Sequence, residues 1–335
     1  MKDNFLRLIE SYLSGRKQYV ALGGVSSSER EFKIGIPQGS CLGPFLFLIY
    51  VNDFPYSSTL LSSVLFADDT TVSYSHHDFS FLVSQINSEL SKVENWTKSN
   101  RLTINLSKTN ALIYSNRINS NTYNNLPIYL NNREIVIVDE FKFLGVHIDR
   151  KLNFSKHLNY ISSKISRNTG IFYRIKRFLP LKARIQFYYS FIYPYLSYCV
   201  VVWGATFETH LTNIIVQQKR IIRLIADSSY FAHTTPLFSR HKLLKFEDIF
   251  RYSVSVYMFN NRHNSQYRTQ HQIFTRSRDL AVSSFNRLTL SQHSITYIGP
   301  KLWNELPLDI RECSTISSFK VNLKKYLLAQ YLPEI

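Results

Sequence analysis

Residues 64–74 read VLFADDTTVSY. Two carboxylates, Asp68 and Asp69, stand side by side between the apolar run Val64–Ala67 and the β-prone run Thr70–Tyr74. Such runs on either side of a short polar step read as a β-hairpin with the carboxylates at its turn. Val64, Leu65 and Phe66 would anchor that hairpin in a sheet. Neighbouring carboxylates repel, and a bound divalent cation relieves the repulsion. Carboxylate oxygens suit hard cations such as Mg²⁺. Two such ions, about 3.5–4 Å apart, can activate a hydroxyl and stabilise a leaving group in phosphoryl transfer. Aspartate is also a common turn residue, so the surrounding sequence has to decide.

The chain has 335 residues, 44% of them hydrophobic, with 22 Tyr and 24 Phe. That is enough apolar material for a sizeable core and excludes a disordered chain. The three cysteines, Cys41, Cys199 and Cys313, lie far apart. They form neither a zinc knuckle nor a disulfide framework, which points to a reducing intracellular setting, cytoplasm or nucleus. The apolar stretches Cys41–Val51 and Tyr198–Ala205 fall short of the roughly 20 residues that cross a bilayer, so no membrane is expected. Net charge is +17, unevenly placed. Residues 1–100 hold 8 Lys and Arg against 10 Asp and Glu, and the remainder 32 against 13. A basic surface beyond a small acidic centre suits a polyanion such as nucleic acid.

Local patterns give an α+β chain. Asn4–Tyr12 is helical, and Gln18–Gly23 and Arg30–Ile34 read as strands. Pro37 and the glycines of GIPQGS make a turn, which Ser40 can cap into a mostly buried helix over Phe45–Asp53. Asp78–Lys98 is helical, with Phe79, Leu82, Ile86, Leu90 and Val93 at spacings of three and four. Leu102–Leu106, Ala111–Tyr114, Ile128–Leu130, Glu134–Val138 and Lys142–Ile148 read as strands, with an Asn-rich loop at Asn116–Asn125. Helices dominate after Asp149. Over His157–Leu179, Leu158, Ile161, Ile165, Phe172, Ile175 and Leu179 share one face. Lys164, Arg167, Arg174 and Arg177 lie on the opposite face, placed to meet phosphates. Three regions follow: 1–150, 151–235, and a basic C-terminal region, 236–335.

Motifs in series surround the acidic pair. GIPQGSCLGPFLFLIYVNDF (35–54) precedes it; LTINLSKTNALIYS (102–115) and FKFLGVHID (141–149) follow. Their order and spacing resemble the reverse transcriptase of non-LTR, LINE-type retrotransposons, particularly the jockey, CR1 and L2-like branches. The stretch YIGPKLWNELPLDIRECSTISSFKVNLKKYL (297–327) is similar to the same group. The resemblance implies a partial right-hand polymerase palm, an antiparallel sheet with helices, followed by a helical thumb. In such a protein Asp68 and Asp69 would bind Mg²⁺, or Mn²⁺ in its place. Pro37, Gln38 and Gly39 would lie near the incoming deoxynucleoside triphosphate. Lys108 would assist the pyrophosphate leaving group, and Phe143, Leu144 and Gly145 would grip the primer terminus. RNA template and DNA primer would be the partners.

The family's further aspartate belongs to a strand well upstream of the GIPQGS-like turn. Before Pro37 only Asp3 is present, at the mouth of a helix, where an acid meets the helix N-terminus favourably. The chain therefore reads as beginning after the fingers and the first catalytic strand, and as inactive alone. Two other readings compete with a polymerase fragment: a non-catalytic nucleic-acid-binding remnant, and a group II intron maturase-like protein. The GPKLWNELP phrase argues against the second. Oligomeric state is not legible in the sequence.

Overall fold

The computed structural model describes residues 3–32, 35–36, 39–115, 127–262, 281 and 289–331. They form a mixed α+β structure in two compact units, Met1–Ala111 with Asn119–Ile137, and Leu112–Ile118 with Val138–Ile335. The expected Asn-rich loop and the middle of the C-terminal region lie outside the described residues, largely or wholly.

The first unit opens with helix α1 (Asp3–Leu13). Strand β1 (Lys17–Gln18) pairs with β4 (Arg30–Glu31), and β2 (Ala21–Leu22) with β3 (Val25–Ser26), as one long antiparallel excursion. Gly23 and Gly24 turn its tip with φ of 58° and 84°, a conformation that glycine adopts without steric cost. Helix α2 (Gly43–Tyr50) follows. It was expected to be mostly buried, yet Phe45, Leu48, Ile49 and Tyr50 are exposed and only Gly43 is buried. A helix apolar all round needs partners on every side, and α2 finds them along one.

After a 3-10 turn at Phe54–Ser57 comes the hairpin β5 (Ser62–Phe66) and β6 (Asp69–Ser73). Helix α3 (Phe79–Ser99) starts where the Asp78 carboxylate accepts the Phe81 amide, 2.8 Å away. Its buried Leu90 and Val93 anchor two small apolar clusters that include Leu65, Val72 and Ile86. The strand expected at Leu102–Leu106 is absent. The Asn105 side chain accepts from the Ser107 amide (3.1 Å) and closes a 3-10 turn at Leu106–Lys108, a local bond that competes with a ladder. Strand β7 (Asn110–Ala111) is shorter than expected; β8 (Tyr129–Leu130), β9 (Arg133–Glu134) and β10 (Val136–Ile137) complete the unit. β8 pairs with β9 antiparallel and β10 with β7 parallel, so the sheets described here are two-stranded ladders.

The second unit begins with β11 (Glu140–Phe143) and β12 (Val146–Asp149), a hairpin where one continuous strand was expected. The Asp149 carboxylate accepts the amides of Lys151, Asn153 and Phe154 at 3.0, 3.3 and 2.8 Å, turning the chain into α4 (Ser155–Ile175). Then come α5 (Leu181–Phe191), α6 (Tyr193–Ser197), α7 (Val200–Trp203), α8 (Glu208–Ile225), α9 (Thr234–Arg240) and α10 (Phe246–Asn261). Helices α11 (Thr289–Gln292), α12 (Ile295–Asn304), α13 (Leu308–Arg311) and α14 (Ile316–Ala329) close the unit. One apolar core joins them around Ile165, Phe172, Tyr188, Trp203, Phe246 and Phe319, each at most 1% exposed. Trp303, 7% exposed, belongs to the same core.

His157 sits inside this core, 2% exposed, with its ring edge-on to Trp203 at 5.5 Å. Its Nδ1 accepts from the His147 amide at 3.4 Å, and its Nε2 has no hydrogen-bond partner among the described residues. Burial, aided by His147, pushes His157 from 6.5 down to about 4. The unfolded chain thus binds a proton between pH 6.5 and 4 that the folded chain does not. The stability that neutral His157 allows is complete above pH 6.5 and is lost as pH falls through 4. The loss expected is at most about 3 kcal/mol. Denaturant unfolding at stepped pH checks this: His157→Leu should flatten that part of the acid dependence.

Candidate functional site

The acidic hairpin is tight. Phe66 pairs with Asp69, Leu65 with Thr70 and Val64 with Thr71, which leaves Ala67 and Asp68 as a two-residue turn. The turn thus sits one residue earlier than expected: Asp68 lies in it with Ala67, and Asp69, expected beside Asp68 in the turn, opens β6. Ala67 has φ of 51°, a left-handed conformation that costs a residue with a Cβ roughly 1–2 kcal/mol. The hairpin uses that turn to project both carboxylates into solvent, where both side chains are exposed. Leu65, Val72 and Tyr74 pack toward α3. Val64 and Phe66, expected as anchors, are 57% and 61% exposed. Strand side chains alternate between faces, and β5–β6 is covered on one face only.

Glu89 of α3 fixes the entry to β5. It accepts from Ser58 Oγ at 2.5 Å and from Lys92 Nζ at 2.6 Å, and the two donors hold its carboxyl below the usual range, Lys92 most. Ser58 Oγ in turn accepts the amides of Leu60 and Leu61, at 3.3 and 3.0 Å, just before the strand. No local signal marks this link, since its partners are 31 residues apart.

Asp68 and Asp69 offer oxygen donors of the kind that Mg²⁺ takes. Among the described residues, no group of three or more His, Cys, Asp or Glu is placed to hold a metal ion. The pair therefore fits part of a coordination sphere, which phosphate oxygens, water or a further carboxylate would complete.

Lys108 is in the same unit, exposed at the end of the 3-10 turn that Asn105 closes. Thr109 Oγ1 donates to the Asn105 carbonyl at 2.9 Å and tightens that turn. Among the described residues no hydrogen bond or ion pair joins Lys108 to Asp68 or Asp69. Pro37 and Gln38 lie outside the described residues. Gly39 has φ of 81°. Ser40 Oγ beside it accepts from Tyr12 Oη at 2.7 Å and from the Gly43 amide at 3.0 Å. Ser40 thus takes up the first amide of α2 and ties it to Tyr12 of α1, but the N-cap position falls on Leu42, not on Ser40 as expected.

In the second unit, Phe143 pairs with Val146 across the turn Leu144-Gly145. Both turn residues have positive φ, 44° and 87°, the signature of a type I′ hairpin. Tyr198 Oη donates to the Leu144 carbonyl at 2.6 Å. A Cβ on Gly145 would meet the Tyr198 ring at 3.3 Å, so only glycine fits without displacement. Tyr198, 54 residues from Leu144, escaped sequence reasoning.

Helix α4 buries Leu158, Ile161, Ile165 and Phe172. Ile175, expected on that face, is 36% exposed, because α4 ends there and a 3-10 turn, Lys176–Phe178, redirects the chain. Arg167 and Arg174 are exposed on α4, and Arg177 is exposed on the 3-10 turn. Lys164 is half-buried, its Nζ 5.3 Å from the Tyr160 ring. Exposed Tyr173 and Phe178, 65% and 72%, interleave with the arginines. Charge alternating with open aromatic rings suits a single nucleic-acid strand. No described helix is long and apolar enough to cross a membrane.

Residues 2–148 match the family described as reverse transcriptase (RNA-dependent DNA polymerase). The chain is 28% identical over 292 residues to the probable RNA-directed DNA polymerase from transposon X-element of Drosophila melanogaster, covering 84% of this chain and 30% of that protein. It is 28% identical over 263 residues to the RNA-directed DNA polymerase from mobile element jockey of the same fly, 75% of this chain and 28% of that one. A third relative, the probable RNA-directed DNA polymerase from transposon BS, is 26% identical over 284 residues, with 80% and 30% covered. The chain thus spans less than a third of the length of these relatives. No solved structure matches it.

Proposed function

We propose that this chain, a member of the reverse transcriptases of non-LTR retrotransposons, is part of an RNA-directed DNA polymerase that extends a DNA primer on an RNA template. The observation that carries this reading is the β5–β6 turn, inside the matched residues 2–148, which presents two adjacent exposed carboxylates. Asp68 and Asp69 would hold Mg²⁺, which supplies charge neutralisation for nucleotidyl transfer. Gly39 with Pro37 and Gln38 would line the nucleotide, and Lys108 would face its triphosphate. The Leu144-Gly145 turn, held by Tyr198, would grip the primer end. The first unit would be the remainder of a palm and α4 the start of a thumb. The open apolar faces of β5–β6 and α2 support a palm that another part of a longer protein covers.

Arg167, Arg174, Arg177 and Lys164 would neutralise phosphates of template or primer. Each phosphate neutralised on a single strand contributes about −0.7 to the slope of log affinity against log salt. Changing all four to Gln is expected to flatten that slope by roughly 2–3 units. Folding should survive, because the three arginines are exposed, where substitutions usually stay within about 0.5 kcal/mol, and Lys164 is only half-buried. Salt titrations of oligonucleotide binding, with circular dichroism as control, test this. An unchanged slope in a folded variant would remove the helix from the nucleic-acid path.

A further inference from the structure

A second place in the helical unit combines charge with an open ring. Between α8, residues 226–233 and the start of α10 lies a cleft of about 630 Å³, lined among others by Lys219, Arg223, Phe231, His233 and Lys245. That volume suits a nucleotide-sized ligand. Its carboxylates are Glu247 and Asp248. Asp248 is already engaged, accepting from the Tyr331 hydroxyl and lying 3.6 Å from Arg251. Arg251 also approaches Glu305 at 3.9 Å. Lys219, Arg223 and Lys245 carry the positive charge that remains, with Lys245 Nζ 4.7 Å from the Tyr331 ring.

Phe231 is 86% exposed and Tyr230, edge-on to it at 5.2 Å, is 71% exposed. Their backbone is held: Arg223 Nε donates to the Ala232 carbonyl at 2.9 Å, and the Ala232 amide to the Ser229 carbonyl at 3.0 Å. The Phe231 amide donates to Ser229 Oγ at 3.4 Å. An open ring on a held backbone, beside the cations Lys219, Arg223 and Lys245, loses less entropy on binding than one on a free loop. A base has a π-face for the ring and a phosphate for the cations, whereas neither inorganic phosphate nor an apolar peptide uses both.

We propose that this cleft holds one nucleotide step of a single-stranded RNA or DNA, its base stacked on Phe231 and its phosphate beside Lys219 and Arg223. The site is separate from the α4 face, on α8 and α10.

The test uses the full chain, a labelled ten-nucleotide oligouridylate, and an abasic strand of equal charge. Phe231→Ala is expected to weaken the base-bearing strand about tenfold, within the range of single stacking contacts, and to leave the abasic strand unaffected. Phe231→Tyr should keep wild-type affinity. Lys219→Gln should weaken both strands and reduce the salt slope by about 0.7. Circular dichroism confirms folding, and Phe231→Leu serves if the alanine variant is unstable. Unchanged affinity on loss of the ring, or equal weakening of both strands, would overturn the proposal. A loss confined to the quadruple α4 variant would overturn the cleft and leave the α4 reading standing; a loss confined to the cleft variants would do the reverse.

Discussion

Trp203→Ala lowers the stability of the helical unit by about 3–5 kcal/mol, the cost of truncating a buried aromatic ring. Trp203 is 0% exposed, stacked on Phe246 at 5.7 Å and met edge-on by His157. Its Nε1 donates to the Tyr198 carbonyl at 2.9 Å. Removal would leave a large cavity and one carbonyl without its donor. Trp203→Phe keeps a ring against Phe246 and should cost less. Tyr198 also bonds the Leu144 carbonyl, so Trp203→Ala should loosen the β11–β12 turn too, raising amide exchange at Leu144 and Gly145. Denaturant unfolding with hydrogen exchange measures both. A loss under 1 kcal/mol would show that the core does not depend on this ring.

Asp68→Ala has the largest expected effect on chemistry. In a version lengthened to the span of the curated relatives, it should remove primer extension more completely than Lys108→Ala. A lost metal ligand removes a clamp on both the attacking and the leaving oxygen. A lost auxiliary acid costs about 10²–10⁴-fold and leaves the electrostatic catalysis in place. Folding should not confuse the comparison, since both side chains are exposed and neither takes part in a hydrogen bond or ion pair described here. Single-turnover rates on a primed RNA template give the ratio. Equal losses in two folded variants would count against the roles assigned.

The parts of the fold that were legible in the sequence are those set by neighbours. Adjacent runs and a two-residue step specify the Asp68 hairpin, and spacings of three and four specify the buried stripe of α4. The apolar stripe of α3 is equally local. Burial was misjudged wherever it depends on what arrives from elsewhere. Phe45, Leu48, Val64 and Phe66 are apolar and read as core, yet they are open in the described residues. Apolar residues fall at Phe141 and Phe143 and then at Leu144, Val146 and Ile148, so the alternation changes phase at Leu144-Gly145, where the chain turns. Glu89 with Ser58, and Tyr198 with Leu144, join residues 31 and 54 apart; no periodicity reaches that far. Phe231 carries no pattern at all in sequence, and only the cleft beside it gives the ring a meaning.

The central claim is that the Asp68-Asp69 turn is the metal-holding hairpin of an RNA-directed DNA polymerase. Primer extension on an RNA template of defined sequence, by the lengthened protein with and without Mg²⁺, tests it most directly. The expected result is incorporation complementary to the template, dependent on Mg²⁺ and abolished by Asp68→Asn. Template-directed extension that persists in folded Asp68→Asn would contradict the claim, as would a folded, RNA-binding wild type that adds no nucleotide.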